Sequence, residues 1–513
     1  MSATKKRPRK LRIAIIGAGP GGLCMAIRLK QAGFDDFVLL EKGAGVGGTW
    51  YHNRYPGCAC DIPSHLYSFS FEQKRDWSRP YASQPEILAY MEQLAEKHGL
   101  LAHCRFGSGV RAATWDEDRA RWTLEVELEA GEAAEAVEAD IVVSALGMFN
   151  GLSWPAIEGL DSFAGTRFHS ARWNWDHDLS GERVGVVGSA ASAVQFVPEI
   201  VKQAAQVFLF QRTANWVLPK EDAPFTPEQL EWFRKDPNAS LAVRDEIYRR
   251  VDGGMTFSDP AALAELEAAG LGAIEGVEDP ELRRKLRPQH PFGCKRPLLS
   301  NDYYPAFNRP NLELVTEGIE RITPDSIVTV DGKRRRIDTL IIATGFATTK
   351  YLSAIDVTGR DGRHIEKAWS DGARAHLGIT TAGFPNLFML YGPNTNNGSI
   401  LSMIECQVDY ALRQIEWISR ESLAWIDVRP EPMERYNDEV QQAISKVRVW
   451  QESCNGYYRS PSGRVVTQWP FSMSEFRRRT EAASADDFEV ATSAPALRQT
   501  TARSKHPGAR LAR

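Results

Sequence analysis

One pattern occurs twice in this chain: a short apolar run, a small-residue turn, then the opening of a helix. The copies lie at Ile13–Gly22 and Val184–Ala193. In the first, Leu11–Gly17 (LRIAIIG) reads as a strand buried on both faces. The turn Gly17-Ala18-Gly19-Pro20-Gly21-Gly22 then fits G-x-G-x-x-G. The first glycine makes the tight turn, the second lets backbone approach a pyrophosphate, and the third packs helix on strand. A phosphate there meets the free N–H groups of the helix start. Leu23, Ala26, Ile27 and Lys30 continue at helical spacing to Gly33, and a second strand, Phe37–Leu40, ends at Glu41. Glu41 stands 24 residues after Gly17, where an acid takes the ribose hydroxyls of a dinucleotide.

The second copy runs Val184–Val187, then Gly188-Ser189-Ala190-Ala191-Ser192-Ala193, then the strand Val207–Phe210. Ala190 replaces the second glycine, so a methyl group faces the phosphates, and Pro198 is expected to kink or end the helix. Arg212, followed by Thr213, stands 24 residues after Gly188, where the first copy has its acid. An arginine at that place pairs with a 2′-phosphate, which favours NADP over NAD. Two dinucleotide units in one chain point to hydride transfer between a nicotinamide and a flavin.

The 513 residues suffice for two or three domains. A net charge of −4 gives no reason to expect nucleic acid, and no apolar run reaches membrane-spanning length. The basic start MSATKKRPRK lacks the apolar stretch of a signal peptide. Seven cysteines, an odd number, suggest free thiols in a reducing, cytoplasmic compartment. Cys58-Ala59-Cys60 has the wrong spacing for a C-x-x-C redox pair and reads as inert, which argues against a disulfide reductase.

The expected organisation is a disordered basic tail over 1–10 and a first dinucleotide unit over 11–150. A linker without clear elements spans 151–183. The second unit covers 184–220 and 291–380, interrupted by a helical insertion at 221–290. The chain returns to the first unit over 381–481, and 482–513 is a disordered tail. Within the first unit a helix is expected near Pro85–His98 and a hairpin near Val110–Glu127.

Phe163-Ala-Gly165-Thr-Arg-Phe-His169-Ser-Ala-Arg-Trp173 resembles the F-x-G-x-x-x-H-x-x-x-W fingerprint of the type I Baeyer–Villiger monooxygenases. Asn174 follows where that family usually has Pro or Asp. Gly47–Tyr51, Arg54–Gly57, Phe292–Pro297, Ala343–Gly345 and Gly392–Thr395 are similar to family segments in the same order, and Trp450–Arg479 is closer to its acetophenone-oxidising branch.

The resemblance implies an α/β fold with two Rossmann-like domains, for FAD and NADP, and a helical insertion in the NADP domain. It implies FAD and NADPH as cofactors and molecular oxygen and a small ketone as substrates. A peroxyflavin would insert one oxygen atom beside the carbonyl to give an ester or lactone. Arg296 is implied as the catalytic cation, with Asp61 as its partner. FAD contacts are implied at Gly17, Gly19, Pro20, Gly22, Glu41, Gly48, Thr49, Trp50, Asp61, Tyr67, Val110 and Met403. NADP contacts are implied at Gly188, Ser189, Ala190, Ser192, Ala193, Arg212, Thr213, Lys295 and Arg296. His169 and Trp173 would couple domain position to nicotinamide position, with no metal involved. Met148-Phe149, Leu298-Leu299, Asn396–Met403 and Ser453–Tyr458 are candidates for the substrate pocket. The alternatives are a flavin monooxygenase acting on nitrogen or sulfur, and a non-catalytic flavoprotein redox sensor.

Overall fold

The computed structural model describes residues 8–128, 134–451, 456 and 458–492. Two five-stranded parallel sheets dominate it. The first has the order Leu387–Met389, Ile141–Ser144, Ile13–Ile16, Phe37–Leu40, Cys104–Arg105. The second has the order Thr166–His169, Thr339–Ile342, Arg183–Val187, Gln206–Phe210, Leu312–Val315. The apolar run of each copy forms the central strand, which is why both read as continuous hydrophobic stretches.

The two turns are built alike. The N–H of Gly17 donates to Leu40 O, and that of Gly188 to Phe210 O. Gly17 (φ +103°) and Gly188 (φ +107°) both lie where side chains are strained. A Cβ on Gly17 would sit 2.8 Å from Ala145 O, and one on Gly188 2.4 Å from Ala343 O. In each turn the residue that follows the adjacent strand crowds the glycine, so no larger residue fits.

The helical insertion is legible residue by residue. Its helices Pro227–Lys235, Pro237–Gly254, Pro260–Ile274 and Pro280–Leu286 all begin with Pro behind a capping side chain: Thr226, Asp236, Asp259 and Asp279. Buried Arg244 pins the insertion to the first unit by donating to the carbonyls of Leu66 (3.0 Å) and Ser68 (3.2 Å), with Glu405 at 4.0 Å.

Several expected boundaries move. The linker contributes a strand, Thr166–His169, to the edge of the second sheet. The return to the first unit begins before 381, because Asp356–Thr358 pairs with the hairpin strand Ser108–Asp116. Both are short edge strands whose partners are distant in sequence, so local periodicity does not reveal them. The helix Gln84–Lys97 and the hairpin of Ser108–Asp116 with Arg121–Leu128 stand as expected, and the second helix ends at Ile200, two residues past Pro198.

The tails also shorten. Phe488–Ala491 pairs antiparallel with Trp425–Val428, so the chain past 482 is ordered at least to that strand. Arg9 is tied down by Asp140 (2.6 Å) and by the carbonyl of Ala424. Residues 1–7 and 493–513 lie outside the described residues. Among the described residues no helix is long and apolar enough to cross a membrane, and no His/Cys/Asp/Glu group could hold a metal.

Candidate active site

A cavity of about 360 Å³ opens at the first glycine turn. Gly17, Gly19, Pro20, Glu41, Gly48 and Thr49 line it, with Tyr67 and Val110 further along. Gly19 and Gly48 face each other: a Cβ on Gly48 would stand 2.8 Å from Gly19 Cα, so this wall admits only backbone. The helix Pro20–Gln31 starts without a side-chain cap, leaving its first N–H groups for an anion. Glu41 is buried, its two oxygens accepting from the N–H of Ala18 (2.8 Å) and Gly43 (2.7 Å). This backbone cradle, uncapped helix start and held carboxylate fit the diphosphate and ribose of FAD.

Four expected contacts, Gly22, Trp50, Asp61 and Met403, do not line the cavity. Gly22 serves packing, since a Cβ there would lie 2.0 Å from Gly17 O. Trp50 is buried behind Tyr67, donating its indole N–H to the Tyr67 hydroxyl (3.1 Å). Met403 is fully buried in the helix Ile400–Glu421, where Ile400 and Ile404, one turn apart, face the cavity instead. Lys42, His52 and Arg172 also line the cavity, and sequence reasoning missed them. For Lys42 the signal was adjacency to Glu41.

At the second turn, Ala190 is an exposed N-cap without a side-chain cap bond, again leaving helix N–H groups open. Ala193 is fully buried where the first copy has Gly22, so this turn accommodates a methyl group that the first cannot. Asn215 holds the turn by donating to Ser189 O (2.9 Å). Gln195 of the helix that follows accepts from the Tyr55 hydroxyl of the first unit (3.0 Å). Arg212 is exposed beside half-buried Thr213. Lys295 comes close enough to Arg212 that burial and that guanidinium together hold its ammonium below the usual lysine range. Two cations from distant segments thus converge at the second turn.

Arg296 meets Asp61 across the two units, Nε to Oδ2 at 2.7 Å, as the resemblance implied. Beside Arg296 lies a small cavity of about 10 Å³ lined by Met255, Phe257, Asn396, Asn397, Gly398 and Tyr458, with Gln468. Met255 and Phe257 come from the insertion and carry no sequence motif. Phe257 packs where a Cβ on Gly293 would be, at 2.4 Å, so Gly293 lets the insertion lie against the turn that carries Arg296. Other substrate candidates move: Met148 and Phe149 line the larger cavity, and Leu298–Leu299 pairs with Val217–Leu218. Ser453–Asn455 and Tyr457 lie outside the described residues.

The fingerprint has a structural basis. A Cβ on Gly165 would stand 2.2 Å from Asp338 O and 2.7 Å from the Phe163 ring, so Phe163 closes over a glycine. His169 is buried, its Nδ1 accepting from Ala171 N–H (3.1 Å), and its ring packs on Trp154. Trp173 packs on Phe168 and on Phe196 of the second-unit helix, both at 5.2 Å between centroids.

Cys58 and Cys60 are buried free thiols, and burial pushes Cys58 up to about 12, so neither is a ready nucleophile. Cys24, Cys104 and Cys406 are free too. Cys294 is disulfide-bonded, which corrects the expectation of free thiols at that position, because a cysteine count does not say which thiols pair.

Two parallel-sheet units, each opening a small-residue turn toward an uncapped helix, define a flavoprotein oxidoreductase that works with a nicotinamide. A family model described as pyridine nucleotide-disulphide oxidoreductase matches residues 14–235. A Baeyer–Villiger monooxygenase of Pseudomonas aeruginosa is 40% identical, over 98% of this chain and 96% of its own. One from Streptomyces coelicolor is 39% identical, over 95% and 94%. Among solved structures, a steroid monooxygenase bound to NADP superposes with a TM-score of 0.84 at 30% identity, covering 94% of this chain and 99% of its own. Cyclohexanone monooxygenase from Rhodococcus sp. Phi1 bound to NADP+ gives 0.83 at 30% identity, covering 94% and 100%. The chain belongs to the Baeyer–Villiger monooxygenase family and is an NADPH-using FAD enzyme.

Proposed function

We propose that this enzyme inserts one atom of molecular oxygen beside the carbonyl of a small apolar ketone, and that Arg296 is its catalytic cation. The observation that carries the assignment is the Arg296–Asp61 pair, which spans the two dinucleotide units beside the small cavity. FAD reduced by NADPH supplies the oxygen-transferring chemistry when bound. The chain's residues must then hold anionic oxygen, aim it and exclude water.

A guanidinium is always charged, and anchoring it through Nε fixes its plane before reaction. A preorganised cation of this kind stabilises negative charge that develops on the attacking oxygen and then on the former carbonyl oxygen. Asp61 acts through Arg296 as a positioning residue. The apolar side of the pocket comes from Met255 and Phe257, and the polar side from Asn396, Asn397 and Gln468. At about 10 Å³ the cavity is smaller than any ketone, so substrate entry requires these side chains to move.

Arg212 and Lys295 would hold the 2′-phosphate of NADPH, with its diphosphate at Gly188–Ala193. Their mutual repulsion is relieved by an anion between them. Trp173, packed on Phe196, would transmit the position of the second unit to the linker.

The test is Arg296→Ala. Reduction of bound flavin by NADPH should continue at a similar rate while ester formation from an apolar ketone disappears. Ester formation at the normal rate would refute the role.

A further inference from the structure

The larger cavity contains a charge pattern that the known cofactor contacts do not use. Lys42 extends from the end of the second strand of the first unit, His52 from the short helix Thr49–His52, and Arg172 from the interdomain segment. All three line the cavity. Among the described residues, none of them is in an ion pair. Lys42 donates to the carbonyl and side-chain oxygens of Asn150, and Arg172 to Ala171 O at 2.7 Å. The one carboxylate on this wall, Glu41, already accepts two backbone N–H groups. Arg54 adds a third positive charge to those of Arg172 and Lys42 in the field at His52.

Unpaired cations that repel one another carry an electrostatic cost unless an anion joins them. Burial holds Lys42 below the usual lysine range, and Arg172 adds to that effect. Burial, then Arg172 and Lys42, bring His52 to about 4. Arg172 is itself depressed by burial. Yet the side chains of Lys42 and Arg172 remain accessible, as groups on a cavity wall are. The anionic part of FAD is its diphosphate, which would sit on the uncapped helix start and glycine cradle that line the same cavity as these cations.

We propose that Arg172 and Lys42, with His52 beside them, form a cationic clamp on the adenosine diphosphate half of FAD. Arg172 is the unexpected member. Asn150 opens the interdomain segment and Arg172 stands near its far end, and both reach this wall. The segment that carries the fingerprint is therefore held from inside the flavin site, and FAD becomes part of the contact between the linker and the first unit. The inference rests on this cavity being the FAD site.

The experiment is reconstitution of the apoprotein, with FAD, ADP and adenosine as probes and dissociation constants read by fluorescence quenching and competition. Arg172→Met should raise the Kd of FAD and of ADP by about tenfold, the usual loss for a hydrogen bond to a charged group, and leave adenosine unchanged. Lys42→Met should act in the same sense, and Arg172→Lys should recover part of the loss. Raising salt should weaken FAD binding to the wild type and weaken it less in Arg172→Met. Unchanged FAD and ADP affinity in Arg172→Met, or equal weakening of adenosine, would overturn the clamp. Apoprotein melting temperatures report whether the fold is intact. If Arg172→Met melts early, Arg172→Lys and the wild-type salt dependence decide, and salt-independent binding overturns the proposal. Gly19→Val, which puts a side chain on the cavity wall beside the helix start, separates the premises: if it binds FAD normally, the site itself is misassigned.

Discussion

Asp61→Asn is the sharpest perturbation of the active site. Asparagine preserves shape and can still accept from Arg296 Nε, so packing is conserved and only the charge goes. The 2.7 Å contact is a charge-assisted hydrogen bond. Such bonds are worth about 1.5–3 kcal/mol net. The side chains of Arg296 and Asp61 are 23% and 33% exposed, so solvent screening puts this pair toward the lower end. If that energy serves to aim the guanidinium in the transition state, oxygenation should slow by about tenfold. Anaerobic stopped-flow reduction by NADPH should change by less than about threefold, because hydride transfer does not need that aim. The assay follows both rates together with hydrogen peroxide release, which should rise as oxygen transfer fails. If flavin reduction slowed in parallel with oxygenation, the pair would serve nicotinamide binding and the catalytic argument would be wrong.

Three further outcomes are expected. Arg212→Gln should shift the NADPH-to-NADH preference in kcat/KM toward NADH by about tenfold or more, from loss of a charged phosphate contact; an unchanged ratio would remove Arg212 from the site. Ala190→Gly should lower the NADPH Kd, because the exposed methyl group stands at the uncapped helix start; titration by isothermal calorimetry checks it, and weaker binding refutes it. Burial raises Asp427 to about 7, against the N–H of Gly383 and nearby Arg360, so the folded chain binds this proton more tightly than the unfolded one. The contribution of Asp427 to stability should therefore rise as pH falls from about 8 towards the ordinary carboxylate range, while His52, His65 and His290, all held near 4 by burial, oppose protonation and lower stability as pH falls through about 6.5. The melting temperature of the wild type relative to Asp427→Asn isolates the carboxyl: it should rise as pH falls from about 8 to 6, and a level or falling difference refutes the assignment.

Much of this was legible in the sequence because the informative features are local. A buried parallel strand is a continuous apolar run, a glycine turn has fixed spacing, and each insertion helix starts with Pro behind Thr or Asp. The Arg296–Asp61 pair is different: 235 positions separate the two residues, and only the resemblance joined them. What stayed hidden depends on tertiary placement. The edge strand Thr166–His169 is four residues long and gains its identity from pairing with Thr339–Ile342. Met403 gave way to Ile400 and Ile404 because helix rotation, not sequence position, selects the face toward the cavity. Met255 and Phe257 belong to a segment with no motif, and only folding brings them beside Arg296.

The unpaired cations connect both nucleotide sites. Structural arginines elsewhere sit against carboxylates, as Arg183 does with Asp338 at 2.5 Å and Arg335 with Glu313 at 2.7 Å. Lys42 and Arg172 at the first turn, and Arg212 and Lys295 at the second, have none in ion-pair range among the described residues. Lys42 and Arg172 share a cavity with the uncapped start of Pro20–Gln31, and the second turn likewise opens a helix that no side chain caps. The four insertion helices, which bind no nucleotide in this account, are all capped. A free helix start and repelling cations are each unfavourable alone, and a diphosphate or a 2′-phosphate satisfies both at once. The same reasoning explains why the two glycine turns can differ in sequence and still serve one purpose. Ala190 and Ala193 change how closely backbone approaches the phosphate, while Arg212 and Lys295 add charge from outside the turn. Loss of close approach at the second site is offset by charge, so NADPH binding there should weaken with rising salt, as FAD binding at the first does.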